Sequence, residues 1–130
     1  MVRRRQLHVV DSSAWLTYLA DAPGADAFAE VIEAPESLIV PAITILEVFK
    51  VVLRDRGESE ALQAAALMQQ GAVVPLDATL ALAAAKLGVD HKLPLADSVI
   101  YATAQEAGAV LWTQDEHFEG LPGVEYRAKR

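Results

Sequence analysis

The chain contains no cysteine. That excludes disulfides, thiolate nucleophiles and cysteine-held zinc, and it suits a reducing, cytoplasmic compartment. No apolar run approaches the ~18 residues that cross a bilayer, so no membrane association is expected. The basic start, Met1-Val2-Arg3-Arg4-Arg5, leads into an apolar stretch that Asp11 cuts short, which is too brief for a signal peptide. Positive charge is also scarce, with 11 Lys and Arg against 18 Asp and Glu, a net charge of -7 and a pI near 4.8. Domains that coat nucleic acid electrostatically are usually basic, so that class is disfavoured. A protein that brings phosphate to a bound cation remains open, because the ion supplies the missing charge. No Pro/Ser-rich linker, long charge block or internal repeat divides the chain. What is present is apolar: 53% of 130 residues are hydrophobic and 22% charged, which implies one domain, 1–130, with a buried core.

Strand and helix signals alternate along that core. Leu7 to Val10 is a short apolar strand, followed by the helix caps Ser12 and Ser13 and a helix through Leu19. Pro23-Gly24 breaks the chain before a second helix, Ala25 to Glu33. Leu38-Ile39-Val40 is the next strand, and Ile43, Leu46, Phe49 and Leu53 mark a helix to Arg56. Ser59 to Gln70 is Ala-rich and helical, Val73 to Leu76 is strand-like, and Asp77 caps a helix that Gly88 is expected to stop. A helix from Leu95 to Ala107 and a strand from Ala109 to Thr113 follow, with Val124-Glu125-Tyr126 as a short edge strand. Such alternation predicts an α/β fold, a parallel sheet with helices on both faces.

In such a sheet ligands bind at the carboxyl ends of the strands. Asp11 directly follows the first strand, and Asp115 lies two residues past the last clear one. Glu47 sits one turn into the helix after the second strand, and Asp97 in the first turn of the helix before the last. Asp11, Glu47 and Asp97 have apolar neighbours, a setting that charged groups rarely occupy unless paired or bound to metal. Crowded carboxylates raise one another's pKa unless a cation neutralises them, and a hard divalent ion such as Mg²⁺ or Mn²⁺ is the simplest partner. Each acid has a structural reading as well. Asp11 can cap a helix, Asp97 can favour a helix N-terminus, Glu47 can pair with Lys50, and Asp115 can serve a turn.

The surroundings of these acids resemble the PIN-domain family, and within it the VapC-type toxins of toxin–antitoxin pairs. The matching stretches are Val9-Val10-Asp11-Ser12-Ser13-Ala14, Pro41 to Val48 around Glu47, Leu95 to Ala104 around Asp97, and Leu111 to Phe118 around Asp115. Leu121-Pro122-Gly123-Val124 continues the likeness, which spans nearly the whole chain in the family's order. The resemblance implies a three-layer αβα sandwich with a central mostly parallel sheet. It implies a metal-dependent endoribonuclease in which Asp11, Glu47, Asp97 and Asp115 hold Mg²⁺ or Mn²⁺. It also implies a homodimer inhibited by a cognate antitoxin. Trp112, Gln114 and the triple arginine depart from the family's pattern without removing an acid.

Asp11 and Asp97, at element junctions, are expected to lie nearest the ion, with Glu47 and Asp115 completing its surroundings. Ser13 and Thr113 are candidates for orienting a carboxylate or meeting phosphate, beside their ordinary roles as cap and strand hydroxyl. Lys50 and Arg54 share a helix face with Glu47 and suit RNA phosphates, or form a solvated stripe paired with Glu47 or Asp55. Arg3 to Arg5 form a basic arm or plain flanking sequence. Of the histidines only His117 stands near an acid, Asp115, and loop packing is its expected role. Trp15, Leu16, Leu19, Phe49, Val52 and Leu53 offer apolar surface for the core, with any excess suiting a dimer or an antitoxin helix. Two other classes use acids at strand ends. A phospho-acceptor signalling domain wants adjacent acids early and a lysine after the last strand, and a haloacid-dehalogenase-type phosphatase wants an Asp where Ser13 stands. A PIN-like domain that only binds RNA or a partner is the remaining alternative.

Overall fold

The computed structural model describes residues 5–130, so Arg3 and Arg4 lie outside the described residues. Arg5 is exposed and donates to the Glu36 carbonyl at 3.4 Å. Five short strands form one sheet: β1 His8–Val10, β2 Leu38–Pro41, β3 Ala72–Val74, β4 Val110–Thr113 and β5 Val124–Tyr126. Their order is β3-β2-β1-β4-β5, and every neighbouring pair is parallel. The helices are α1 Ser12–Leu19, α2 Asp26–Ile32, α3 Ala42–Arg56, α4 Glu58–Met68, α5 Ala78–His91 and α6 Leu95–Ala107. None is long and apolar enough to cross a membrane.

Strand side chains alternate between faces, and the core follows that period. Val10, Leu38 and Val40 pack with α1 to α4 through Trp15, Phe28, Val48 and Met68. Val9 and Leu111 pack on the opposite side with Ile100, Tyr101 and Ala104 of α6, together with Phe118. α5 covers α6 in turn, through Leu80, Ala84, Val99 and Ala102. This is the αβα sandwich that the sequence implied, with a sheet parallel throughout. Burying a side chain such as Phe28, 1% exposed, stabilises the fold by roughly 2–3 kcal/mol.

Three local expectations change. The cap of α1 is Asp11, whose carboxylate accepts from the Ala14 amide, and Ser12 and Ser13 lie inside the helix. β3 ends at Val74, because Pro75 has no N–H to extend a ladder, and Leu76 is exposed. α5 runs through Gly88 to His91 and ends at Lys92 in the left-handed conformation, φ 56°. Gly88 does not stop the helix; it lets α5 approach α6, since a Cβ there would stand 3.1 Å from the Ser98 Cβ.

The strand order sets the site's place. From β1 the chain moves outward through β2 to β3, then returns to lay β4 on the other side of β1. The carboxyl ends of β1 and β4 therefore flank the switch point of the sheet, where open α/β folds hold ligands. Asp11 leaves one of those ends and Asp115 follows the other.

Candidate metal centre

Asp11 is 2% exposed and tightly held. Its Oδ1 accepts from the Ala14 amide at 3.0 Å and from the Ser13 hydroxyl at 2.9 Å, and its Oδ2 accepts from the Thr113 hydroxyl at 2.8 Å. Burial pushes its carboxyl up to about 6; these donors hold it down, and the charge of Asp115 pushes it up further. Thr113, fully buried in β4, also accepts from the Asp115 amide at 2.9 Å. One hydroxyl thus ties the carboxylate that follows β1 to the backbone that follows β4.

Asp97 stands in the first turn of α6, where the helix end favours a negative charge. Its carboxyl is nevertheless raised to about 7, by burial first and then by Asp115, Asp11 and Glu47, with His117 acting in the opposite direction. Burial, aided by the crowding of like charges, outweighs the helix end. His117 Nδ1 lies 2.8 Å from Asp115 Oδ1 and 3.5 Å from Asp97 Oδ2. Donor atoms of Asp97, Asp115 and His117 all fall within 4.8 Å of one another. Asp115 also accepts from the His117 amide at 2.9 Å, which shapes the 3-10 turn Glu116–Phe118 beneath the imidazole. Glu47 approaches from α3 and accepts from the Ser12 hydroxyl at 2.6 Å.

All four sequence-predicted acids therefore reach one edge of the sheet. Asp97 and Asp115 are the two acids of the three-residue cluster, Asp11 is joined to it through Thr113, and Glu47 is held by Ser12. Ser13 and Thr113 orient Asp11. The expected pairing of Glu47 with Lys50 does not form. Arg54 is engaged by Asp55 at 2.8 Å, and Lys50 has no ion pair among the described residues. Ser12 and Gln114 hold roles that sequence reading did not assign, and His117, noted there for its nearness to Asp115, takes a different role from the one expected. Ser12 holds Glu47, and His117 bridges two acids with its side chain 54% exposed, so it does not serve as loop packing. Gln114, which looked like a departure, is buried and donates to the Thr17 hydroxyl at 2.6 Å, fastening the strand end to α1. The one sequence signal for His117 was its spacing from Asp115.

The donor set fits a hard divalent cation. Carboxylate oxygens predominate, two carboxyls are raised by burial and mutual repulsion, and no Lys or Arg pairs with any of the four acids among the described residues. Carboxylate oxygens suit Mg²⁺ and Mn²⁺ alike.

The sequence pattern of the PIN domain matches residues 8–124. The chain belongs to the PIN-domain family. Among solved structures this PIN domain is similar in fold to a toxin–antitoxin complex from Klebsiella pneumoniae, at 23% identity and TM-score 0.75, covering 91% of this chain and 95% of that one. It is similar also to VapC20 of Mycobacterium tuberculosis, a sarcin–ricin loop cleaving toxin, at 21% identity and TM-score 0.75, covering 92% and 98%. A third is VapBC2 from Rickettsia felis bound to a promoter DNA fragment, at 11% identity and TM-score 0.72, covering 95% and 98%. No curated protein matches the sequence. Membership of the PIN family sets aside the signalling-domain and dehalogenase readings.

Proposed function

We propose that this PIN domain is a divalent-metal-dependent endoribonuclease acting as a VapC-type toxin. The observation that carries the reading is the convergence of Asp11, Glu47, Asp97 and Asp115 at the switch point of the sheet, with no Lys or Arg among the described residues to neutralise them. Asp97 and Asp115 would hold Mg²⁺ or Mn²⁺ most directly, with Asp11 and Glu47 completing the surroundings and His117 against both nearer acids. Bound there, the ion supplies positive charge to a phosphodiester and makes a nearby water more acidic.

The chain's own residues prepare that place. Ser13, Thr113 and the Ala14 amide lock Asp11 in one orientation, so it need not reorganise when charge develops nearby. Thr113 keeps Asp11 and Asp115 in register. Ser12 holds Glu47 back at the margin, where a carboxylate can accept a proton from water or bind through one. The His117 amide donates to the Asp115 carboxylate, and its imidazole Nδ1 lies 2.8 Å from the same oxygen.

Partners follow from surfaces. A groove of about 930 Å³ runs between α1 and the α3–α4 hairpin, lined by Leu16, Leu19, Val52 and Leu67 with charged residues such as Arg56 and Glu60. An amphipathic antitoxin helix suits it, and the neighbours' description as toxin–antitoxin complexes supports that assignment. Trp15 is taken by the core, and of the six apolar residues named on α1 and α3 only Leu53 is strongly exposed. A homodimer is better supported by α5, where Leu82 and Val89, seven residues apart, are 75% and 79% exposed. Sedimentation at micromolar concentration checks it, and a monomer throughout rejects it.

The enzymatic reading is tested by incubating defined RNAs with wild type and Asp97→Asn, with Mg²⁺, with Mn²⁺ and with chelator, and mapping the ends. Cation-dependent cleavage by wild type alone is expected. Equal cleavage by both proteins, or none by either, rejects it and leaves a PIN domain that only binds.

A further inference from the structure

We infer that Arg127, Lys129 and Arg130 form the phosphate-binding wall of a cleft that holds the RNA backbone beside the acidic site. The inference rests on the ribonuclease reading and concerns how an acidic protein keeps a polyanion at that edge.

The sheet brings the segment there. β5 is parallel to β4, so its carboxyl end opens on the same edge as Asp11 and Asp115. The Arg127 amide donates to the Thr113 carbonyl at 2.8 Å, and Thr113 is the residue that joins the two acids. The Arg127 guanidinium lies 5.3 Å from the centre of the Trp112 ring and donates to Glu125 at 2.9 Å, which places it rather than leaving it to sweep through solvent. Lys129 and Arg130 then face Asp26 and Ala27 of α2 across a cleft of about 350 Å³, with Gln114 in its wall. Gln114 stands between Thr113 and Asp115 in sequence, and its side chain is fixed on Thr17 and on the Ser13 carbonyl. The backbone of Gln114 thus runs from the cleft straight into Asp115 of the metal centre.

Charge and shape then select the ligand. Three cations in four residues stand out in a chain of net charge -7. The cations first considered for RNA, Lys50 and Arg54 on α3, do not line this cleft. The exposed Arg127–Glu125 pair yields readily, because surface ion pairs are weak and screened. The one aromatic ring lining the cleft, Phe28, is only 1% exposed, so no base can stack on it. The cleft therefore reads phosphates and not bases, and it orients a single strand without choosing its sequence.

The test uses the whole chain carrying Asp97→Asn, with Mg²⁺ and a fluorescein-labelled single-stranded RNA, and follows anisotropy across a KCl series. Adding Arg127→Gln, Lys129→Gln and Arg130→Gln should weaken binding about tenfold or more at low salt. It should also flatten the slope of log affinity against log salt by about 0.7 for each phosphate no longer neutralised. Lys50→Gln with Arg54→Gln should change the slope less, and Arg127→Lys should keep it. An unchanged affinity and slope in the triple variant, while wild type still cleaves RNA, overturns the cleft alone. Absence of both cleavage and RNA binding overturns the ribonuclease reading, and the cleft with it. Unfolding midpoints of the variants confirm that each is folded.

Discussion

Two corners of the molecule each place a buried acid at the start of a helix, and they do so by opposite means. At the β1–α1 corner, Asp11 caps its helix and receives hydrogen bonds from an amide and two hydroxyls, so its charge is part of the local architecture. In the first turn of α6, Asp97 caps nothing: the residue before the helix is Pro94, with no side-chain cap bond. Its carboxyl faces other acids and one imidazole, and is raised further than that of Asp11 despite being less buried. An acid can thus be required by the fold, by the ligand or by both, and the hydrogen-bond donors around it tell which. Asp11 is tied into the fold by its donors, whereas Asp97 receives no hydrogen bond among the described residues.

The largest expected effect erases the distinction. Asp97→Asn and Asp11→Asn should each lower cation-dependent RNA cleavage by roughly 10³-fold, because several kcal/mol of charge stabilisation disappear either way. Single-turnover rates at saturating Mg²⁺ check this. Thr113→Val comes next. Removing the hydroxyl that joins the two corners should weaken Mn²⁺ binding about 10–100-fold, measured by calorimetry, while leaving both acids in the chain.

Stability then separates the corners. Asp11→Ala removes a helix cap and strips the buried Thr113 hydroxyl of its acceptor, and should cost about 2–3 kcal/mol in denaturant unfolding without metal at pH 5, below its raised pKa of about 6, where its removal relieves little buried charge. Asp97→Asn should instead stabilise the metal-free protein at pH 8, by about 1 kcal/mol after solvent screening. If both variants shift the unfolding midpoint in one direction, the contrast is wrong.

The smallest effect is a pH profile. Both carboxyls have folded pKa values above the ordinary 3.8, at about 6 for Asp11 and about 7 for Asp97. The folded chain keeps protons that the unfolded chain has released, so these two carboxyls' contribution to metal-free stability is greatest below pH 4, falls as pH rises through 6 to 7, and levels off above. Asp97→Asn should remove the upper part of that fall. A rise in stability across the same window would contradict the burial and repulsion assigned here.

Much of this was legible in the residues because it depends on local periodicity. The alternation of Val9 and Val10 between faces, the Asp77 cap and the acids after β1 and β4 all follow from near neighbours in sequence. What was missed depends on residues far apart. Gly88 resembled a helix stop because its reason, the Ser98 Cβ of α6, is a tertiary contact. Gln114 and Trp112 looked like departures from a pattern. One proved to be a buried tether to Thr17, and the other a half-buried ring between His8 and Arg127. Ser12 and Ser13 read equally well as caps, and only the fold shows that each hydroxyl serves a different acid.

The strand order also bears on how the protein is made. β1 sits at the centre of the sheet and is synthesised first, yet β4, which completes the acidic edge, emerges only after α6. Until then the chain holds Asp11, Glu47 and Asp97 but lacks Thr113 and Asp115, and such long-range pairings form late. A nascent chain at that stage carries an unfinished site, so whatever chemistry the edge performs is withheld until β4 has left the ribosome.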